Sequence, residues 1–86
     1  RELKAAAQPE LDIRGMAVDE ALPVLDNFLD AAYMGNLPNA RIIHGKGTGV
    51  LRAAVQDELR RCKYVKSFRL GVYGEGESGV TIVEFK

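Results

Sequence analysis

The sequence predicts an α/β domain with the element order β-α-β-α-β-β. Two stretches repeat apolar residues at spacings of three and four, as an amphipathic helix does. Four shorter stretches are rich in β-branched residues or alternate apolar with polar ones, as strands do. Each helical stretch lies between two strand-like ones, so the early strands run parallel through crossover helices. Only the last strand, after a short turn, returns antiparallel. The 86 residues fit one domain with a single modest core, since a chain of this size buries about 60% of its unfolded surface.

Residues 1–10 are Ala-rich and charged without an apolar stripe, and they read as a linker or the tail of a preceding element. The start at Arg1 points to a piece of a longer chain. Residues 11–86 carry the domain. Leu11 and Ile13 alternate with Asp12 and Arg14 in a short strand ended by Gly15, which puts the carboxylate and the guanidinium side by side on one face. Val18, Ala21, Leu22, Leu25, Phe28, Leu29, Ala32 and Tyr33 line one face of a first helix. Asp19 and Glu20 suit its N-terminal end, and Gly35-Asn36 supplies its stop. Pro23 removes a backbone donor in the second turn and predicts a late helix start or a local distortion. A turn at residues 36–39 leads to a second strand at residues 40–44. Three alternate glycines follow, and then Val50, Leu51, Ala54, Val55, Leu59 and Cys62 mark a second helix. Residues 65–72 form a third strand, residues 73–79 a Gly-rich turn and residues 80–85 the last strand.

Composition narrows the function. No apolar run approaches the roughly 20 residues needed to cross a bilayer. A single cysteine, Cys62, excludes a disulfide framework or a Cys-based zinc cluster and suits the reducing cytoplasm; its place in the apolar stripe makes it core. Twelve bases balance twelve acids, which would argue against a polyanionic partner. The balance is uneven along the chain. Residues 1–39 carry three bases against seven acids, residues 40–70 eight against two, and the last sixteen are net −2. A basic middle segment of +6 suggests a polyanion, although helical bases also form ordinary solvated faces.

The residues that could carry chemistry cluster at strand ends. In His44-Gly45-Lys46-Gly47-Thr48-Gly49 a strand passes through a Gly-rich turn into a helix, where backbone amides and the helix dipole favour an anion and Lys46 adds a mobile charge. The spacing is neither that of a P-loop nor that of a dinucleotide-binding turn, so nucleotide binding is not expected. Such a turn also serves as a plain tight connection. His44, the single histidine, titrates near neutrality and suits general acid or base work beside a phosphodiester. Asp12 and Arg14 reach the same sheet edge, where ligands of open α/β sheets bind. Arg14 is expected to contact a phosphate and Asp12 to orient a base or ligate a metal, the alternative being a surface salt bridge. Gly74, Gly76 and Gly79 suit a mobile hairpin, on which Glu75 and Glu77 could approach a bound metal.

Three blocks carry a resemblance that runs from about Leu11 to Phe85. They are Leu11-Asp12-Ile13-Arg14-Gly15, Arg41 to Arg52 around His-Gly-Lys-Gly-Thr-Gly, and Gly76 to Glu84, with Val65-Lys66-Ser67-Phe68 adding to the match. Together they resemble the small MutS-related (Smr) domain, in the form carried at the C-terminus of the second bacterial MutS paralogue. The resemblance implies an α+β two-layer sandwich, with two helices on one face of a four-stranded mixed sheet, like the C-terminal domain of translation initiation factor three. It implies nicking endonuclease activity on branched or duplex DNA, in DNA repair and suppression of recombination. The alternative is a non-catalytic DNA- or RNA-binding module that docks on rRNA or collided ribosomes. The parent chain would be a homodimer with an ATPase region. The family's Leu-Asp-x-His motif falls on Leu11 to Arg14, with Arg14 where the family has His, and its His-Gly-x-Gly motif falls on His44 to Gly47. Asp12, Arg14 and His44 are therefore the expected catalytic residues. Arg41, Gly45, Lys46, Gly47, Thr48, Gly49 and Arg52 are the expected phosphate contacts. A divalent metal, magnesium or manganese, would have Asp12 as its one good ligand.

Overall fold

The computed structural model describes residues 9–86. The expected linker falls outside them except at its end, where Pro9 and Glu10 belong to the sheet. The Pro9 carbonyl accepts a hydrogen bond from the Arg41 N–H, and Glu10 opens the first strand. The elements follow the expected order: β1 (Glu10–Asp12), α1 (Val18–Met34), β2 (Asn39–Ile43), α2 (Val50–Arg61), β3 (Val65–Leu70) and β4 (Val80–Phe85), with a 3-10 turn at Glu77–Gly79 before β4.

The sheet order is β1-β2-β4-β3. β1 pairs parallel with β2, and β4 pairs antiparallel with both β2 and β3, so the first three strands share one direction. The last strand inserts between β2 and β3 and completes a mixed sheet. Both helices lie on one face, where Leu25 and Leu29 of α1 and Val55 and Leu59 of α2 join Ile13, Ile42, Val83 and Phe85 in the core. Cys62 packs against this cluster, as its place in the stripe predicts. A register shift between Val65 and Ser67 opposes Val65 to Phe85 and Phe68 to Val83, so that both side chains meet the core despite their odd separation. The same shift sends Ser67 and Arg69 to the other face.

At α1 one expectation is corrected and two details are added. Helix α1 starts at Val18 and runs unbroken through Pro23, which deprives only the exposed Asp19 of a helical partner for its carbonyl. Ala17 has no side-chain oxygen to cap α1, but its own N–H donates to Glu20 Oε1 at 3.2 Å, supplying half of a capping box. The stop falls at Gly35-Asn36, as expected: the Gly35 N–H donates to the Ala31 carbonyl at 2.9 Å and Asn36 takes the left-handed position at φ 60, with the Leu37 N–H reaching back to the Ala32 carbonyl at 3.1 Å.

The sheet face away from the helices is partly roofed. Arg41 and Arg69 flank Ile82 in register across β2-β4-β3. Both guanidiniums grip Glu75 of the β3–β4 connection, Arg41 through the backbone carbonyl and Arg69 through the carboxylate.

Candidate nucleic-acid interface

The parallel pair β1-β2 ends at one edge of the sheet, and most of the expected site residues gather there. Ile13 extends the pairing one step beyond β1 by donating to the Ile43 carbonyl at 2.9 Å. The chain then leaves the sheet because the Asp12 carboxylate captures the backbone N–H of Arg14 at 3.1 Å. The Arg14 side chain completes a fork on the same carboxylate, Nε to Oδ1 at 3.0 Å and Nη2 to Oδ2 at 2.7 Å. These bonds hold the Asp12 carboxyl below the usual carboxylate range. Asp12 thus aims Arg14.

At the end of β2 the backbone is tied to the turn that opens the neighbouring strand β4. The Gly79 carbonyl accepts from both the His44 N–H (3.1 Å) and the Gly45 N–H (2.9 Å). Gly45 has φ +84, and a Cβ there would stand 3.3 Å from Arg14 Cγ, so glycine lets the turn lie against the arginine stem. Lys46 passes on the other side, where its Cγ would be 3.4 Å from a Cβ on Gly79, and its ammonium pairs with Glu77 at 3.3 Å.

Arg14, Arg41 and Lys46 consequently line one open cleft of about 440 Å³, with Ile43, Gly45, Gly76, Gly79 and Val80. Arg41 reaches it from mid-strand, 4.0 Å from Glu10, and its buried Nε has no hydrogen-bond partner. Gly47, Thr48 and Gly49 in the turn, and Arg52 in the first turn of α2, do not line the cleft. Of the expected cradle of amides the Gly45 N–H is spent on Gly79, and just beyond the turn the Val50 N–H points at Thr48 Oγ1, 3.4 Å away. Arg52 folds back over Gly49, with Nη2 2.9 Å from where a Cβ would sit.

His44 differs from a solvent-facing acid or base. It is 5% exposed, and both ring nitrogens are engaged: Nδ1 with the Gly45 carbonyl at 3.0 Å and Nε2 with Thr81 Oγ1 at 2.8 Å. A carbonyl can only accept, so Nδ1 carries the proton, and in the neutral ring Nε2 accepts from the Thr81 hydroxyl. Burial pushes the imidazole below its ordinary range; the bond to Gly45 opposes this, and the charge of Arg52 adds to it. At neutral pH the ring is an uncharged strut between β4 and the turn. Thr81 is itself completely buried. Sequence reasoning missed it, although a lone hydroxyl in the apolar run Val80-Thr81-Ile82-Val83 was the available signal.

The residues do not make a metal-binding set. Among the described residues no three His, Cys, Asp or Glu side chains come together, and both Asp12 oxygens already accept from Arg14. Glu75 and Glu77, expected near a metal, instead pair with Arg69 and Lys46. Arg69 first, and the Val72 N–H second, lower the Glu75 carboxyl to about 2.

A two-layer α+β module with a cationic cleft at the ends of its parallel strands is the class of protein that this fold and edge define. The chain belongs to the Smr domain family, whose model matches residues 11–86. The endonuclease MutS2 of Lachnoclostridium phytofermentans is 59% identical over 78 residues, covering 91% of this chain and 10% of that protein. That of Acetivibrio thermocellus is 57% identical over 77 residues, covering 90% and 10%. The chain therefore spans about a tenth of the length of these relatives. Among solved structures, the Smr domain of Thermus thermophilus MutS2 superposes with a TM-score of 0.88 at 46% identity, over 91% of this chain and 98% of that one. YdaL, a stand-alone small MutS-related protein from Escherichia coli, gives 0.87 at 25% identity, over 98% and 71%. No helix among the described residues is long and apolar enough to cross a membrane.

Proposed function

We propose that this domain binds the backbone of branched or duplex DNA in the Arg14–Arg41–Lys46 cleft and nicks it by phosphodiester hydrolysis, within a MutS2-type protein that suppresses recombination. The observation that carries this reading is the convergence of three cations on one open cleft. Three positive groups around a phosphate stabilise the extra negative charge of the pentacoordinate transition state, and Asp12 prepays the orientation of Arg14. In the hydrolysis a water oxygen forms a new bond to phosphorus, the ester P–O bond breaks, and the proton from water ends on the departing sugar oxygen. His44 enters through the turn that it holds rather than by exchanging that proton, since both its nitrogens are hydrogen-bonded within the fold.

A second reading, a module that binds DNA or RNA without cutting it, draws support from the enclosed imidazole and the fully engaged Asp12. One experiment separates the two. Supercoiled plasmid and a matched RNA are incubated with the domain, with and without a chelator, alongside D12A, R14A and K46A. Nicking that falls at least tenfold in the variants supports the nuclease. Salt-sensitive binding that leaves both polymers intact supports the binder, and variants that nick like the wild type overturn the assigned roles.

A further inference from the structure

The connection between β3 and β4 presents an aromatic ring to solvent three residues before Gly76, which lines the cationic cleft. Tyr73 is 91% exposed and its neighbour Val72 58%. The other two tyrosines are occupied: Tyr33 and Tyr64 stack on each other with centroids 4.4 Å apart and pack against the core. Tyr73 stands at the first central position of a tight turn. The Val72 carbonyl accepts from the Glu75 N–H at 2.8 Å, and Gly74 at φ +90 supplies the left-handed residue that a type II turn requires.

That turn is clamped from below. Glu75 Oε1 accepts from the Val72 N–H at 3.0 Å and from Arg69 Nη1 at 2.7 Å, and Oε2 accepts from Arg69 Nη2 at 3.2 Å. Its backbone carbonyl accepts from Arg41 Nη2 at 3.3 Å, and Gly76, the next residue, lines the cleft. Arg41 therefore belongs to both the cleft and the clamp, so the turn that carries the ring is hydrogen-bonded to one of the cleft's cations.

We propose that Tyr73 is a stacking platform for an unpaired nucleobase, whose strand lies with its backbone phosphates in the Arg14–Arg41–Lys46 cleft; this rests on the nucleic-acid reading above. A base in an intact duplex has both faces covered by its neighbours and offers nothing to the ring. A base in a gap, a bulge or a single strand offers a bare face. Stacking on an aromatic side chain tolerates any base, and the backbone beneath the ring, already braced by Glu75, loses little freedom on binding. The substrate class is thereby narrowed to nucleic acid with unpaired bases next to the contacted phosphates.

Binding is measured by fluorescence anisotropy on three labelled DNAs with equal numbers of phosphates: a blunt duplex, a duplex with a short single-stranded gap, and a single strand. Y73A is expected to weaken binding of the gapped and single-stranded DNAs about tenfold while staying within twofold on the blunt duplex, with an unchanged melting temperature. Y73F should restore the preference. Equal loss on all three DNAs, or no loss on any, overturns the proposal. If the double variant R14A/K46A loses affinity for all three while Y73A matches the wild type, stacking fails and the cleft stands. If R14A/K46A binds as the wild type does, or the wild type binds none of the three, the nucleic-acid reading fails and the proposal with it.

Discussion

Replacing Thr81 by valine deletes one hydroxyl at nearly constant shape. Thr81 is completely buried, and its Oγ1 lies 2.8 Å from Nε2 of a 5% exposed His44. The substitution therefore leaves a buried imidazole nitrogen without a partner and beyond the reach of water. An unsatisfied buried group costs about 1–3 kcal/mol. For a domain of this size each kcal/mol moves the melting temperature by about 4–8 °C, so T81V should melt about 5–20 °C below the wild type. Thermal denaturation followed by circular dichroism reads this directly, and T81S, which keeps the hydroxyl, should recover most of the loss. The ring gives a second readout. Nitrogen NMR of His44 should find the proton on Nδ1 in the wild type, and nucleic-acid affinity should fall in T81V because Gly45 and Lys46 are no longer braced. A T81V domain that melts within 1 °C of the wild type, or a wild-type ring protonated on Nε2 alone, would refute the strut.

Other consequences are measurable with the same material. Removing Arg14, Arg41 or Lys46 singly should lower the slope of log affinity against log salt by about 1 each, and an unchanged slope would remove that residue from the phosphate contacts. E77Q frees Lys46 from a surface pair worth up to about 1 kcal/mol, so DNA affinity should rise by as much as about fivefold at low salt; an equal or weaker affinity would count against competition between Glu77 and phosphate. Stability against pH tests two opposed groups. The folded state prefers neutral His44, so its contribution is present above the unfolded value of 6.5 and is lost as the pH falls below it. Asp26 is raised to about 6, first by desolvation and then by hydrogen-bonded Glu58, so its contribution is present below 3.8 and is lost as the pH rises through about 6. D26N should therefore be more stable than the wild type at pH 7, by no more than about 1 kcal/mol for so exposed a group. It should also lose stability more steeply from pH 7 to 5, and a shallower fall would reverse the assignment.

Much of this molecule is legible in the order of its residues. Apolar spacing placed both helices within a residue or two of their ends, because a helix packed on one side must repeat near 3.6, and Leu25, Leu29, Val55 and Leu59 obey that period. The Asp12–Arg14 pair was readable as two neighbours, but for another reason than strand alternation: β1 ends at Asp12, and the pair forms where that carboxylate caps the turn at Arg14. Contacts between distant segments were not. Local pattern does not reveal that β4 inserts between β2 and β3, and that insertion brings Thr81 to His44, Gly79 to Gly45, and Glu75 to Arg41. The sequence alone determined which residue types stand at the edge: one histidine, one carboxylate-braced arginine and a Gly-rich turn with its lysine. Only the tertiary structure decided their state, with the histidine enclosed and uncharged, the Gly45 amide spent within the fold and three cations facing one opening. The reason is that a side chain's accessibility and protonation depend on what packs against it, and here that neighbour arrives from more than thirty residues away.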